Sequence, residues 1–272
     1  MDNNPNNRSQ TLRKYHLKVV LFLRSVLSRL GVAVFRFHEQ FHYVPNYYGP
    51  RADKSIDIRS IPIFGPAAKD VIEARKTSLY YDRLYTIFQA LTYIQHSIHS
   101  QQVPVQAAEV GVYKGGTSHF ILSVAQKMNI EQFHLHAFDT FEGHSPKDVK
   151  QELDAAQRAG QFSGTSFEGV AEYLSCFQNA SLYKGRFQEN AHRVEKLTFS
   201  LIHLDVDLYE PTLFGLDFFD KRLVEGGAIV VDDYGFTTCA GVKKAVDEFL
   251  HTHRDYFSLH LLTGQCLLVK VK

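Results

Sequence analysis

Two pairs of aspartates stand directly after apolar runs in the second half of the chain. Asp205 and Asp207 lie in LDVDLYEPT, and Asp232 and Asp233 lie in VVDDYG. Strand alternation would put Asp205 and Asp207 on one side, and neighbouring parallel strands would bring both pairs to one sheet edge. Carboxylates gathered there repel one another unless a cation is bound. The sequence therefore predicts Mg²⁺, with Mn²⁺ or Ca²⁺ as alternatives, in preference to isolated turn or cap aspartates.

A glycine-rich turn follows another apolar run in the first half of the chain. Residues 109–118, EVGVYKGGTS, come after the strand-like VQAAEV and before a helical pattern. Gly111 permits a tight turn, while Gly115 and Gly116 would let a ligand approach backbone N–H groups at the helix start. The acidic Glu109 favours a ligand with a cationic group, such as a sulfonium with its amino acid. A purely structural turn is the alternative.

An acidic residue also ends the next strand-like run. Asp139, in FDTFEG, stands 30 residues after Glu109. In doubly wound folds an acid at this position accepts hydrogen bonds from the ribose hydroxyls of a nucleoside. The alternative is a turn or helix-cap aspartate, which needs no ligand.

The elements that must position these residues alternate between helices and short apolar strands after Pro66. A helical pattern over residues 79–97 precedes VQAAEV, and further helical patterns separate the runs FHLHAFD, SLYKG, LIHLDVD and AIVVDD. Such runs are typical of parallel strands buried on both faces. The pattern predicts a doubly wound α/β sheet, to which residues 257–272 add an antiparallel hairpin at the edge.

Three parts of the chain are predicted. Residues 1–10 are polar and rich in asparagine, which predicts a disordered tail. Residues 11–66 predict an N-terminal helix followed by an irregular wrapping segment, and residues 67–272 form the main domain. The amphipathic part of this appendage, residues 17–37, carries too many arginines to span a bilayer. We expect it to pack on its own domain or a second subunit, with contact to a membrane surface as the alternative.

The composition restricts the partners. Among 272 residues, 30 Lys and Arg balance 29 Asp and Glu, so no overall field favours nucleic acid. The three cysteines, Cys176, Cys239 and Cys266, have no CxxC spacing, which argues against disulfides and a zinc site. We expect a cytoplasmic protein without nucleic-acid partners that forms a homo-oligomer.

From about residue 61 to its C-terminus the chain resembles the macrocin O-methyltransferase family, metal-dependent enzymes that tailor sugar hydroxyls of macrolide and aminocoumarin antibiotics. The segments that carry the resemblance are TSLYYDRLYTIFQAL, EVGVYKGGTS, AFDTFEG, HLDVDLYEPT, LVEGGAIVVDDYG and GVKKAVDEFL. The resemblance implies a Rossmann-like class I methyltransferase sheet. It also implies S-adenosylmethionine as methyl donor and a small hydroxylated acceptor, a sugar or a glycosylated natural product.

The resemblance also assigns site residues. S-adenosylmethionine would be contacted by Glu109, Gly111, Thr117, Ser118 and Asp139; Mg²⁺ would be bound by Asp205, Asp232 and Asp233; the general base would be Asp207. The chain departs from the family pattern at His144, where an apolar residue followed by proline is expected, and at Cys239, in a longer insertion after VDDYG. TGQCLLVKVK also replaces the aromatic C-terminal ending of the family. These departures leave the acceptor open, but not the reaction.

A sugar hydroxyl needs activation, because its pKa lies far above that of a carboxylate. A divalent cation next to the acceptor oxygen lowers that pKa, and Asp207 would then take the proton. His203 and His144 are alternative bases, although His203 has the simpler interpretation of packing within its strand. Residues 143–168 predict a mobile cover over the substrate, and residues 80–83 could line the acceptor pocket.

Two other classes of function stay open. Asp205 and Asp207 form a DxD, which holds nucleotide-sugar diphosphates through a metal in glycosyltransferases, although EVGVYKGGTS argues against that class. A non-catalytic scaffold on a methyltransferase fold is the third class, and the retained acidic positions argue against it. Binding of S-adenosylhomocysteine, of a nucleoside-diphosphate sugar, or of neither would separate the three.

Overall fold

The computed structural model describes residues 57–97 and 104–271 of the chain. The predictions for residues 1–10, and for the appendage up to residue 56, lie outside these ranges. The compact unit that contains the main domain begins at Ile58. Helix α1 (Phe64–Glu73) belongs to it and spans the predicted boundary at residue 67.

Seven strands form one sheet in the order β3-β2-β1-β4-β5-β7-β6. The strands are β1 (Gln106–Val110), β2 (His134–Asp139), β3 (Ala180–Lys184), β4 (Phe199–Leu204), β5 (Leu223–Val231), β6 (Tyr256–His260) and β7 (Cys266–Lys270). β1 to β5 run parallel, and β7 pairs antiparallel with both β5 and β6. The predicted doubly wound sheet with its antiparallel edge is confirmed. The strand order reverses between β1 and β4, where sheets of this kind bind ligands.

Helices cover both faces of this sheet. They are α1, α2 (Tyr81–Ser97), α3 (Gly116–Lys127), α4 (Phe167–Tyr173), α5 (Phe187–Asn190), α6 (Tyr209–Asp220) and α7 (Ala240–Thr252). One buried apolar cluster joins the sheet to α1, α2 and α3, and a second joins it to α6 and α7. Every residue of β4 is buried, as expected for a central strand between two helical layers.

Helix α2 is placed by its apolar face. Leu84, Ile87, Leu91 and Ile94 recur at helical spacing and are fully buried. Burial of this face fixes the rotation of the first turn, which carries Arg83. None of the helices in residues 57–97 and 104–271 combines the length and the apolar character needed to cross a bilayer.

Candidate active site

The carboxyl ends of β4 and β5 bring the two aspartate pairs together, as the sequence predicts. Leu204 and Val231 end these neighbouring strands and are paired in parallel register. The backbone N–H of Asp232 donates to the Leu204 carbonyl at 2.8 Å, so the pairing continues past the strand end. The residues that follow both strands therefore meet at one edge of the sheet.

Turn geometry, rather than strand alternation, sets the positions of these acids. β4 ends at Leu204, so Asp205 and Asp207 both lie beyond the strand, and the expectation that alternation places them side by side was wrong. Asp207 has a φ of 59° and Asp233 a φ of 58°, in the left-handed region. Aspartate tolerates this region better than most residues because its short side chain can form local hydrogen bonds.

The four acids, here called the acidic cluster, fall into two groups. In one, a ring nitrogen of His203 and carboxylate oxygens of Asp205 and Asp232 lie within 4.8 Å of one another. In the other, Asp207 and Asp233 lie equally close to a buried thiol, that of Cys239. The predicted ligand Asp233 thus sits with the predicted base Asp207, rather than with the other two predicted ligands.

A guanidinium faces both groups. Arg83 Nε donates to Asp232 Oδ1 at 3.1 Å, and Nη2 donates to Asp233 Oδ1 at 2.8 Å. Nη2 also contacts the second oxygen of Asp232. The guanidinium lies over the ring of Phe236, with 5.2 Å between its carbon and the ring centroid. Burial lowers the pKa of Arg83, but the carboxylates of Asp233 and Asp205 outweigh this and raise it, so the side chain stays cationic.

One guanidinium faces four carboxylates, and the pKa values of three of them are shifted, two upward and one downward. Burial raises the pKa of Asp205 to about 7, with Arg83 acting against this and Asp207 adding to it. Burial likewise raises the pKa of Asp233 to about 8, again opposed by Arg83. Burial would also raise the pKa of Asp207, but hydrogen bonds with His144 and Asp233 outweigh it and lower that pKa. Asp207 therefore keeps its charge, as a general base requires.

Two of the three departures from the family pattern, His144 and Cys239, contact Asp207. His144 Nε2 lies 3.4 Å from Oδ2 of Asp207, and the Cys239 thiol donates to Oδ1 with a sulfur to oxygen distance of 3.6 Å. Gln157 Nε2 in turn donates to the Cys239 sulfur at 3.3 Å. Burial raises the pKa of the Cys239 thiol, so the thiol stays protonated and can donate. The orientation of the predicted base is thus fixed by contacts with His144 and Cys239.

The predicted cover, residues 143–168, is attached beside the cluster. Asp154 Oδ1 accepts the backbone N–H of Tyr209, the first residue of α6, at 3.0 Å. Gln157 Nε2 donates to the Thr238 carbonyl at 3.1 Å, in the turn before α7. These contacts hold the middle of the segment against the elements that follow both strands, while its predicted mobility stays a prediction.

On the other side of the site, Asp139 binds backbone groups. Its Oδ2 accepts the N–H groups of Val112 and Tyr113 at 2.7 and 2.8 Å, and its Oδ1 accepts that of Phe141 at 2.6 Å. These contacts attach the glycine-rich turn to the end of β2 and fit the alternative of a turn aspartate. The carboxylate is only half-buried, and its ribose contact stays a prediction.

Three other predicted cofactor residues are buried beside this turn. The Ser118 hydroxyl donates to Glu109 Oε2, and the Thr117 hydroxyl pairs with that of Thr77 at 3.0 Å. Glu109 Oε1 lies 3.3 Å from Nδ1 of His203. These side chains join β1, α3 and β4 at their ends, and their cofactor contacts stay predictions.

The glycines of the turn allow parts of the chain to approach each other. A Cβ on Gly111, whose φ is 95°, would lie 1.8 Å from the backbone oxygen of Asp205. A Cβ on Gly116 would lie 2.4 Å from the backbone carbon of Lys76. The space where a ligand was expected to approach the backbone of Gly116 is therefore filled by the chain itself. The N–H of Gly116 donates to the Lys76 carbonyl at 3.0 Å.

Sequence reasoning missed the position of Arg83, which it grouped with possible acceptor contacts. Residues 80–83 do not lie together at one site. Tyr80 is 59% exposed, and Tyr81 packs on Phe64 with 6.4 Å between ring centroids. Arg83 contacts the acidic cluster. A basic residue next to buried Leu84 on the apolar face of α2 was an available signal. His203 is named above only as an alternative base. Its spacing of two residues from Asp205 was a signal that its ring lies near the cluster.

The residues of the acidic cluster fit a divalent cation. The four carboxylates outnumber the one positively charged guanidinium, and burial, together with the neighbouring carboxylates, raises the pKa values of Asp205 and Asp233. In addition, Nε2 of the fully buried His203 has no hydrogen-bond partner. Carboxylates with an available imidazole form a donor set for such an ion.

Comparison with known proteins identifies related sequences. The model of the family described as Macrocin-O-methyltransferase (TylF) matches residues 80–261, more than half of the chain. The 8-demethyl-8-(2,3-dimethoxy-alpha-L-rhamnosyl)-tetracenomycin-C 4'-O-methyltransferase of Streptomyces olivaceus is 26% identical over 157 residues, covering 55% of this chain and 60% of that protein. The Mycinamicin III 3''-O-methyltransferase of Micromonospora griseorubida is 25% identical over 177 residues, covering 60% of this chain and 68% of that protein. The match thus spans less than two thirds of the first relative.

A solved structure has the same fold. The O-methyltransferase NovP superposes with a TM-score of 0.62 at 22% identity, covering 72% of this chain and 83% of that chain. At this identity the likeness shows the fold, and the roles of individual residues have to be argued from the site itself.

Proposed function

The chain belongs to the macrocin-O-methyltransferase family, and we propose that it transfers a methyl group from S-adenosylmethionine to a hydroxyl of a sugar or glycoside. The Streptomyces olivaceus relative is named for 4'-O-methylation of a rhamnosyl tetracenomycin. That name supports a glycosylated acceptor here. Family membership also favours methyl transfer over the glycosyl transfer suggested by the DxD of Asp205 and Asp207.

The observation that carries the proposal is the direct contact between the glycine-rich turn and the acidic cluster. Asp205 N donates to the Val110 carbonyl at 2.9 Å, and the lack of a side chain on Gly111 lets the two loops touch. A methyl donor held at the turn and an acceptor held at the cluster would therefore lie side by side. Such alignment is a large part of what an enzyme contributes to a displacement reaction.

On the donor side, S-adenosylmethionine supplies an electrophilic methyl group on sulfur. Asp139, half-buried at the end of β2, would accept hydrogen bonds from the ribose hydroxyls. Gly111, with the buried Glu109, Thr117 and Ser118, would shape the turn that receives the rest of the molecule. Asp139 would then serve both the ribose and the backbone of the turn.

On the acceptor side, Asp205, Asp232 and Asp233 would hold Mg²⁺, or Mn²⁺ or Ca²⁺ in its place. A divalent cation at this position would lower the pKa of a neighbouring hydroxyl. Asp207 accepts the hydroxyl proton while the acceptor oxygen bonds to the methyl carbon and the carbon to sulfur bond breaks. His144 and Cys239 keep the carboxylate of Asp207 aimed by contacting one oxygen each.

A screen of hydroxylated glycosides and nucleotide sugars with S-adenosylmethionine and Mg²⁺, read by mass spectrometry, tests this proposal. We expect an acceptor that gains one methyl group, with S-adenosylhomocysteine formed in equal amount and the reaction stopped by EDTA. Transfer of a sugar from a nucleoside diphosphate would identify a glycosyltransferase instead. Failure to bind either S-adenosylhomocysteine or nucleotide sugars would identify a scaffold.

A further inference from the structure

Phe162 is an exposed aromatic residue in the predicted cover, residues 143–168. It is 39% exposed, and its φ of 67° lies in the left-handed region, which is uncommon for a bulky residue. A single exposed apolar side chain is ordinary on a protein surface. A costly backbone conformation, however, is kept only where the surrounding structure fixes it. The contacts of Phe162 therefore indicate whether its position serves the site.

The backbone just before Phe162 is fixed by pairing across the base of the cover. The N–H of His144 donates to the Gln161 carbonyl, and the N–H of Gly160 donates to the His144 carbonyl, both at 2.9 Å. A Cβ on Gly143, whose φ is 80°, would lie 2.3 Å from the backbone oxygen of Gln161, so this close approach requires glycine. Phe162 follows the pairing directly, and its ring is therefore carried to a defined position.

The ring of Phe162 lies between the donor side and the acceptor side of the site. Its centroid is 5.7 Å from that of Tyr113, in an edge-on contact, and 5.3 Å from that of His144. The backbone N–H of Tyr113 donates to Asp139, the predicted ribose contact, at 2.8 Å. Nε2 of His144 lies 3.4 Å from Oδ2 of Asp207, the predicted base. A molecule that brings a hydroxyl to Asp207 from the side of the turn therefore passes beside the Phe162 ring.

The exposed part of this ring offers an apolar surface next to the polar groups of the acidic cluster. A sugar ring has a face of C–H groups, whereas its hydroxyls project from the rim. Such a molecule can place its C–H face on an aromatic ring and direct a hydroxyl to a carboxylate. Ligand sites commonly combine aromatic walls with a few polar groups in this way, and covering the phenyl ring also removes apolar area from water.

We propose that Phe162 is a specificity-determining contact of the acceptor, whose sugar ring packs its C–H face on the phenyl ring while a hydroxyl reaches Asp207. Tyr113 and His144 hold the phenyl ring from its two sides. The inference rests on the proposed function, because it requires a sugar or glycoside as acceptor. Phe162 then contributes to binding of the acceptor and not to the methyl-transfer step.

Steady-state methylation of methyl α-L-rhamnopyranoside tests the proposal; if the glycoside screen favours another sugar, the methyl glycoside of that sugar replaces this probe. Phe162→Ala should raise the KM for the sugar about 3- to 10-fold, the fold-change that corresponds to an aromatic contact. Both kcat and S-adenosylhomocysteine affinity should stay within about twofold, because the reacting groups remain. Phe162→Tyr keeps the ring and should keep the wild-type KM. Phe257→Ala, which removes an exposed aromatic ring from β6, is the matched control.

The proposal fails if the ring has no separate effect on the sugar. An unchanged KM in folded Phe162→Ala would show that the ring does not touch the sugar, while the proposed methyl transfer stands. An equal loss of S-adenosylhomocysteine affinity would place the ring over the cofactor, and a lower kcat at unchanged KM would make it a support for Asp207.

A second variant covers the case in which Phe162→Ala does not fold. Phe162→Leu keeps an apolar side chain but loses the aromatic ring, so its KM should exceed that of Phe162→Tyr, and equal KM values in these two variants would overturn the proposal. A wild type that binds S-adenosylhomocysteine but methylates no glycoside would refute the proposed function, and the Phe162 contact with it.

Discussion

The carboxylates at the ends of β1 and β2 and those at the ends of β4 and β5 are treated differently by the protein. Glu109 and Asp139 receive hydrogen bonds from a hydroxyl, an imidazole and three backbone N–H groups. Asp205 and Asp233 instead share the single guanidinium of Arg83 with two further acids, and burial raises the pKa of both.

This difference separates a region completed by the protein from one that needs a ligand. Hydrogen bonds to a carboxylate stabilise its charge without another ion, as at the glycine-rich turn. Surplus buried charge has to be protonated or balanced by a cation, as at the acidic cluster. We therefore expect substitutions in the two regions to have separable effects on the cofactor and on the cation.

The largest effect is expected from Asp207→Asn, which keeps the shape of the side chain but removes the basic charge. Turnover of an acceptor found in the screen should fall by about 10²- to 10⁴-fold. Affinities for Mn²⁺ and S-adenosylhomocysteine should change only a few fold in calorimetric titrations. Asp217→Asn, an exposed position on α6, is the control. Loss of Mn²⁺ binding in Asp207→Asn would make Asp207 a ligand and leave His203 or His144 as the base.

The next largest effect is expected at Arg83, whose guanidinium is a positive charge next to the cluster. Arg83→Met should lower the free energy of unfolding by about 3 to 5 kcal/mol, because it leaves Asp232 and Asp233 without their partner. Urea denaturation in EDTA measures this, and added Mg²⁺ should restore part of the loss. Arg193→Met removes an exposed arginine as the control. Equal stability of the two variants would show that the cluster does not depend on Arg83.

On the cofactor side, Asp139→Ala should weaken S-adenosylhomocysteine by about 1.5 to 3 kcal/mol, the range for a hydrogen bond to a charged group. Mn²⁺ affinity should stay within a few fold, because Asp139 lies outside the cluster. Calorimetry of both ligands checks this, with exposed Glu142→Ala as the control. Unchanged S-adenosylhomocysteine binding would show that the ribose lies elsewhere and that the turn keeps its shape without the Asp139 carboxylate.

The smallest effect concerns how the free energy of unfolding depends on pH through His136, which belongs to neither region. Burial, with a contribution from His134, lowers the pKa of His136 from 6.5 to about 4. A depressed pKa contributes stability that is present above pH 6.5 and is lost as the pH falls towards 4. The loss between pH 8 and pH 5 should be on the order of 1 to 2 kcal/mol and should be independent of Mg²⁺.

Urea denaturation of His136→Gln and of the exposed control His251→Gln measures this reference. The difference in the free energy of unfolding between the wild type and His136→Gln should change from pH 8 to pH 5 by the contribution of His136, whereas the difference between the wild type and His251→Gln should stay constant. The same slope in His136→Gln and the wild type would mean that another group governs the acid side of the stability curve.

The sequence predicted the elements and the meeting of the acids, because both follow from local patterns. Apolar runs that alternate with helices determine parallel strands, and the parallel pairing of β4 with β5 then brings Asp205 and Asp232 to one edge. No such pattern specifies the left-handed turn at Asp207, which lies outside β4. Alternation was the wrong argument there, although the acids do meet.

Contacts between distant parts of the chain could not be read from spacing. Arg83 binds Asp232 across 149 residues of sequence, and only burial of the apolar face of α2 sets that contact. Gly111 was predicted for the freedom of its backbone, yet the space beside it is taken by Asp205. Such approaches depend on how separate elements pack, which residue types alone do not determine.

The most direct test of the central claim is Mn²⁺ binding by the wild type and by Asp232→Asn, with S-adenosylhomocysteine binding measured on the same samples. We predict that the wild type binds Mn²⁺ and that Asp232→Asn binds it about 10- to 100-fold more weakly, while S-adenosylhomocysteine affinity stays within a few fold. Equal Mn²⁺ affinity in the two proteins, at intact S-adenosylhomocysteine binding, would contradict the claim that the acidic cluster is completed by a cation.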